Sequence, residues 1–159
     1  MHAIDLLIKS HRSLEQQLSA LKEADSLAKS DFNKMADELA AHITIEEELF
    51  YPAVNAGRTE DILLESLEEH LSLKRVLADL LAIPTDDEKF GPKMHVLAEQ
   101  AVHHHKEEEE ELFPKAKKVL SSEKLEALGQ QMEARMKSLR EDAARTRIPA
   151  QTDDSVSLA

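Results

Sequence analysis

Two stretches of this chain repeat one chemical pattern: HITIEEELFYP at 42–52 and HHKEEEEELFP at 104–114. Each opens on histidine, carries glutamate four residues later, and closes on an aromatic residue followed by proline. In a helix, positions i and i+4 are neighbours on one face, so each stretch can aim an imidazole nitrogen and a carboxylate at a common point. That donor pair suits a metal ion bound through nitrogen and oxygen. No cysteine is present to offer sulfur or form a disulfide. A carboxylate has two oxygens, so the same glutamate can bridge two ions.

The second stretch contains its own ambiguity. His103, His104 and His105 each have a glutamate four residues on, at Glu107, Glu108 and Glu109. Aligning the two stretches selects His104 and Glu108. Helical phase at about 100° per residue gathers Leu97, Ala101, His104, Glu108 and Leu112 on one face and turns His103 away. His105 lies near that same face, so the preference for His104 rests on the repeat. Glu107, Glu110 and Glu111 read as a solvated helix face, and His2, His95 and His103 as histidines without a ligand role.

The elements that would position these groups are helices. Ile4, Leu7, Ile8, His11, Leu14, Leu18 and Leu21 recur at helical steps, predicting a first helix over about 3–24. A second carries Phe32, Met35, Leu39, His42, Glu46, Leu49 and Ala53 on one face. The third has Leu63, Leu67, His70, Leu73, Leu77 and Leu80 in one stripe, and the fourth starts near Pro92 and runs to about 113. Beyond Pro114, Ser121 or Ser122 can cap a fifth helix with Leu125, Leu128, Met132, Met136 and Leu139 on one side. It packs either on the bundle or on a second copy, as a homodimer. The expected architecture is all-α: an antiparallel up-down four-helix bundle over 1–116, a C-terminal helix over 117–144, and a disordered polar tail over 145–159.

Each H-x-x-x-E helix thus follows a helix with a single stripe histidine, His11 before His42 and His70 before His104. The reading is two hairpins, each offering two histidines and one glutamate, related by an approximate two-fold. A lone histidine on an apolar stripe is usually a satisfied core residue. Four inward histidines with two inward glutamates are different, because a buried unpaired carboxylate costs several kcal/mol. Six donors for two metals follow: His11, His42, Glu46, His70, His104 and Glu108. If both glutamates bridge, each metal has two imidazoles and two carboxylate oxygens. A six-coordinate ion keeps positions for a bridging oxo or hydroxo group and an exogenous ligand.

Composition limits the alternatives. The chain has 159 residues, enough for one core, and few Gly, Pro or aromatic residues, which favours helix. Its net charge of -12 repels nucleic-acid phosphate and anionic lipid. No signal peptide and no membrane-spanning run is read, so a cytoplasmic location is expected. Neither the Glu-x-x-His of ferritin-like di-iron proteins nor the H-E-x-x-H of zinc peptidases occurs.

With these residues in hand, the chain resembles the hemerythrin-like, or HHE cation-binding, domain family over about residues 3–116. The most specific parts are H-x-x-x-E followed by FYP and by LFP. The resemblance implies an up-down bundle with a non-haem di-iron centre held by the same six residues. Oxygen-carrying hemerythrins have a second histidine on the third helix, where this chain reads HLSLK and has Lys74. Reversible oxygen carriage is therefore disfavoured, although Glu109 matches the longer carrier spacing from His104. The shortened pattern is similar to bacterial members associated with peroxide or nitric oxide chemistry and with iron sensing. Two functions follow as expectations: a peroxidase or catalase-like di-iron enzyme, or a sensor, carrier or scavenger of oxygen or nitric oxide without turnover. Lys74 is expected to keep its ammonium in water, with a place beside the site as the alternative. Tyr51 is expected to pack at the helix end, with a ligand or redox role as the alternative.

Overall fold

The computed structural model describes residues 1–158. Its helices are α1 (Ala3–Glu23), α2 (Lys29–Ile45), α3 (Tyr51–Ala53), α4 (Glu60–Leu81), α5 (Phe90–Glu107), α6 (Phe113–Val119) and α7 (Ser122–Glu141). No strand occurs among the described residues. The architecture is all-helical, as expected. α1 packs on α2 and α5, and α4 on α5. Of the expected stripe of α1, Ile4, Leu7, His11, Leu14, Leu18 and Leu21 are buried, whereas Ile8 is only partly so and Leu6 is buried in addition. His2 finds a role at its start, where the ring Nδ1 accepts the Ile4 N–H at 3.2 Å.

Two wide turns interrupt the second and fourth rods in equivalent places. A π-helical turn, Glu46–Phe50, joins α2 to α3, and another, Glu108–Leu112, joins α5 to α6. In them the Tyr51 N–H bonds the Glu46 carbonyl and the Phe113 N–H bonds the Glu108 carbonyl, five residues back. Proline explains the location: Pro52 and Pro114 lack an N–H, and in a regular α-helix their rings would strike the carbonyl four residues earlier. Widening the turn relieves that clash and lets the rod continue. The fourth rod accordingly runs through Pro114 to Val119, beyond the expected end near 113.

The extra residue changes which side chains face inward. In an unbroken helix Tyr51, nine residues after His42, would point about 180° away from it; one inserted residue takes back about 100°. Phe50 and Tyr51 are therefore buried, whereas Leu49 and Ala53, placed on the inner stripe by regular phase, are only partly buried. Phe50 meets Phe113 edge to face at 5.6 Å across the bundle.

α7 is capped by the Ser121 hydroxyl, which accepts the Lys124 N–H. It lies along α1 and α2 and buries Leu125, Leu128, Met132, Met136 and Leu139. Gly129 permits this approach, since a Cβ there would stand 1.8 Å from the Met1 carbonyl oxygen. The segment expected as a disordered tail is different. Ala143 takes a left-handed turn (φ 48°), and Ala144–Gln151 forms a 3-10 helix lodged along α2 and α4. Ala144 and Ile148 are buried, Arg145 pairs with Asp37 at 2.7 Å, and Arg75 donates to the carbonyl oxygens of Thr152 and Asp153. The polar composition concealed two apolar anchors, and a 3-10 turn has no amphipathic 3.6-residue period to detect.

Candidate metal centre

All six expected donors meet in the middle of the bundle, one stripe histidine from each of α1 and α4 and one His-Glu pair from each of the other two rods. Donor atoms of His11, His42, Glu46 and Glu108 lie within 4.8 Å of one another, as do those of Glu46, His70 and His104. Glu46 Oε1 is 3.2 Å from the Nε2 atoms of both His42 and His70. Glu108 Oε1 is 3.1 Å from His11 Nε2 and 3.4 Å from His104 Nε2. Each glutamate therefore touches one histidine of each pair, the geometry of a carboxylate that spans two positions. Both glutamates begin a π-helical turn, so each carboxylate sits at the joint between narrow and wide helix.

A second ring of side chains holds the imidazoles, and it follows the same two-fold. The residue after each glutamate takes the Nδ1 of the opposite stripe histidine: Glu47 on His70 at 2.9 Å and Glu109 on His11 at 2.8 Å. The residue before each stripe histidine takes the Nδ1 of the next: Ser10 on His42 at 2.8 Å and Glu69 on His104 at 2.7 Å. With Nδ1 so engaged, Nε2 of every ring faces the centre. This is the arrangement by which outer carboxylates and hydroxyls orient metal-binding histidines.

The inner groups are poorly satisfied by one another. Both Glu46 oxygens and His42 Nε2 are buried without a hydrogen-bond partner. Burial, and then the neighbouring Glu108 charge, push the Glu46 carboxyl well above the ordinary range. For Glu108 burial acts upward too, but the His104 charge and a hydrogen bond from His11 outweigh it and hold that carboxyl well below. Burial pushes His42 down to about 4, so its ring is neutral at pH 7. A neutral His42 imidazole beside a pair of enclosed carboxylates fits a cation, which would compensate both carboxylates at once.

Several nearby residues occupy places that periodicity did not indicate. Lys74 is not in water: it is 1% exposed, and its Nζ donates to Glu47 Oε1 at 2.9 Å. It thus balances the carboxylate that supports His70. Tyr51 is inside, its ring stacked on His70 at 5.3 Å and its hydroxyl donating to Glu108 Oε2 at 2.7 Å. That hydroxyl is also 3.2 Å from His70 Nε2 and 3.4 Å from His104 Nε2. Burial and the Glu108 and Glu46 charges raise the phenol well above its usual range, so it remains a proton donor. His104 and His105 are both buried, on opposite sides of the centre, with His105 stacked on His11. Glu109 lies in the outer ring, its second oxygen paired with Arg12. His103 is exposed beside Glu107.

The sequence profile of the Hemerythrin HHE cation binding domain matches residues 2–116. A crystal structure of a hemerythrin HHE cation-binding domain-containing protein from Mycobacterium kansasii superposes with a TM-score of 0.81 at 24% identity, over 93% of this chain and 99% of that one. A protein named DNA nickase from Nostoc sp. is 26% identical over 128 residues, 79% of this chain but 36% of that relative. The chain thus spans about a third of the Nostoc protein. No helix among the described residues is long and apolar enough to cross a membrane.

Proposed function

The chain belongs to the hemerythrin HHE cation-binding domain family, and from that premise we propose that it is a non-haem di-iron protein that reacts with a small oxidant, peroxide or nitric oxide. The six residues named from the sequence would hold the ions: His11 and His42 on one side, His70 and His104 on the other, with Glu46 and Glu108 between them. The observation that carries it is the Glu46 carboxylate, whose oxygens have no hydrogen-bond partner and whose Oε1 stands 3.2 Å from an imidazole nitrogen of each pair. A cation there would compensate the carboxylate's burial. Hard oxygen donors shared with imidazole, without thiolate, favour iron over softer metals, and zinc gains little from paired carboxylate bridges.

When bound, the iron pair supplies electrons to, or accepts them from, the small molecule. The protein's own residues do the rest. Glu47, Glu69, Glu109 and Ser10 fix the imidazole rings by accepting from, or bonding to, their Nδ1 atoms. Phe50 and Phe113 close one end of the centre against water. Tyr51 holds a proton at its hydroxyl on the inner side, given to Glu108 Oε2 in this structure, and can turn it to an oxygen or nitrogen atom brought there by giving up that bond. Lys74 stays outside this circle and keeps Glu47 charged and in place.

Peroxide turnover is tested directly. Iron-loaded protein mixed with hydrogen peroxide should consume it and evolve oxygen, and His70→Ala should abolish this. A reversible spectral change with oxygen or nitric oxide, without consumption of peroxide, would assign binding rather than catalysis. DNA nicking does not extend to this chain in our reading, because the shared part is a minor share of the Nostoc protein and the charge of -12 opposes a polyanion.

A further inference from the structure

The two halves of the centre follow one plan, but one residue on each side breaks it. Aligned on their His-Glu pairs, the repeats match Ile43 with His105 and Tyr51 with Phe113. Tyr51 stacks on His70 and carries a hydroxyl between His70 and His104. Its counterpart Phe113 stacks on His11 at 5.8 Å and offers no polar atom. On that side a polar group comes from His105 instead. The hydrophobic Ile43 shows that the equivalent position needs no nitrogen for packing.

His105 shares the burial of the other inward histidines and lies beside His11 and His42, on the flank away from Glu46 and Glu108. It is 1% exposed, lies parallel to His11 at 3.9 Å, and places a ring nitrogen within 4.8 Å of donor atoms of His11 and His42. Its Nδ1 meets a carboxylate, Glu15 Oε1 at 3.3 Å, as those of His11, His70 and His104 meet theirs. Burying an imidazole for packing alone costs about 1–3 kcal/mol unless its polar atoms are used. We propose that His105 is a third imidazole ligand on the His11–His42 side, which closes that side and leaves the His70–His104 side, under the Tyr51 hydroxyl, as the one place where a small ligand binds. This rests on the dinuclear reading above. It makes the centre asymmetric, with ligand entry set by His105 and Tyr51 together.

Cobalt(II) tests this without catalysis, because its visible absorption strengthens as coordination number falls. The full chain, freed of metal, is titrated with cobalt, and azide then serves as the small-ligand probe. The wild type should take up about two ions, with azide perturbing one. His105→Phe keeps a ring against His11 but has no donor. It should weaken one of the two sites at least roughly tenfold, strengthen its absorption and let azide perturb both ions. His105→Ala should do the same, which covers the case in which the larger ring disturbs folding, and the exposed His95→Ala should leave all readouts unchanged. If either folded His105 variant titrates and absorbs like the wild type, His105 is a packing residue and the inference is wrong. If the wild type itself binds fewer than two ions, the dinuclear reading fails first and this inference falls with it.

Discussion

Replacing Glu46 by glutamine should strengthen the metal-free protein and weaken the metal-loaded one. Glu46 is 0% exposed and neither of its oxygens has a hydrogen-bond partner. Glutamine has nearly the same shape without the charge. The amide is still polar, but removing the ionisable carboxyl recovers the cost that burial and the Glu108 charge impose on it, about 1–3 kcal/mol near pH 7. For a chain of 159 residues, 1 kcal/mol corresponds to about 2–4 °C, so chelator-treated Glu46→Gln should melt roughly 2–12 °C above chelator-treated wild type. The pH dependence has a defined sign. The folded-state carboxyl is raised above its ordinary 4.5, so as pH climbs past about 4.5 the unfolded chain releases a proton that the folded chain keeps. Stability of the metal-free wild type therefore declines through that window, and the gap to Glu46→Gln widens. Below it the carboxyl is protonated in both states and the gap closes. Metal inverts the order, since an ion at a hundred times its Kd adds about 2.7 kcal/mol to the wild type, whereas the neutral amide cannot bridge as a carboxylate does. Thermal unfolding followed by circular dichroism, with chelator and with iron(II), reads all of this. A chelated Glu46→Gln that melts below chelated wild type near pH 7 would refute the reasoning.

Lys74→Ala leaves the Glu47 carboxylate without its buried cation, and a loss of about 3 kcal/mol, or roughly 6–12 °C, is expected in thermal unfolding. Gly129→Ala puts a methyl group 1.8 Å from the Met1 carbonyl. Despite alanine's better helix propensity it should destabilise by about 1–3 kcal/mol, measured by urea unfolding. Ala143→Gly relieves a left-handed alanine and should add up to about 1 kcal/mol in the same assay.

The helices and the meeting of the six side chains at one point were legible because each carries a regular period. His11 and His70 stand on apolar stripes, and His-x-x-x-Glu puts two donors on one helical face. What periodicity could not show begins where the period changes. The π-helical turns start at Glu46 and Glu108, and after them Tyr51 rather than Leu49 faces inward. Pro52 and Pro114 were the available signal, since proline within a continuing helix demands a distorted turn. The outer ring had a signal as well, because Glu47 and Glu109 each follow a glutamate of the repeat and Ser10 and Glu69 each precede a stripe histidine. Lys74 looked exposed because an isolated lysine usually is; its partner Glu47 is on another helix and 27 residues away. The last segment, Ala144–Gln151, was concealed by a polar composition with only two buried anchors.

The central claim is that one buried point in this bundle holds a pair of metal ions. Elemental analysis of protein purified after iron-replete expression, set against its concentration by amino-acid analysis, tests it most directly. The account predicts about two irons per chain, falling in Glu46→Gln. One iron per chain or none in the wild type would contradict it.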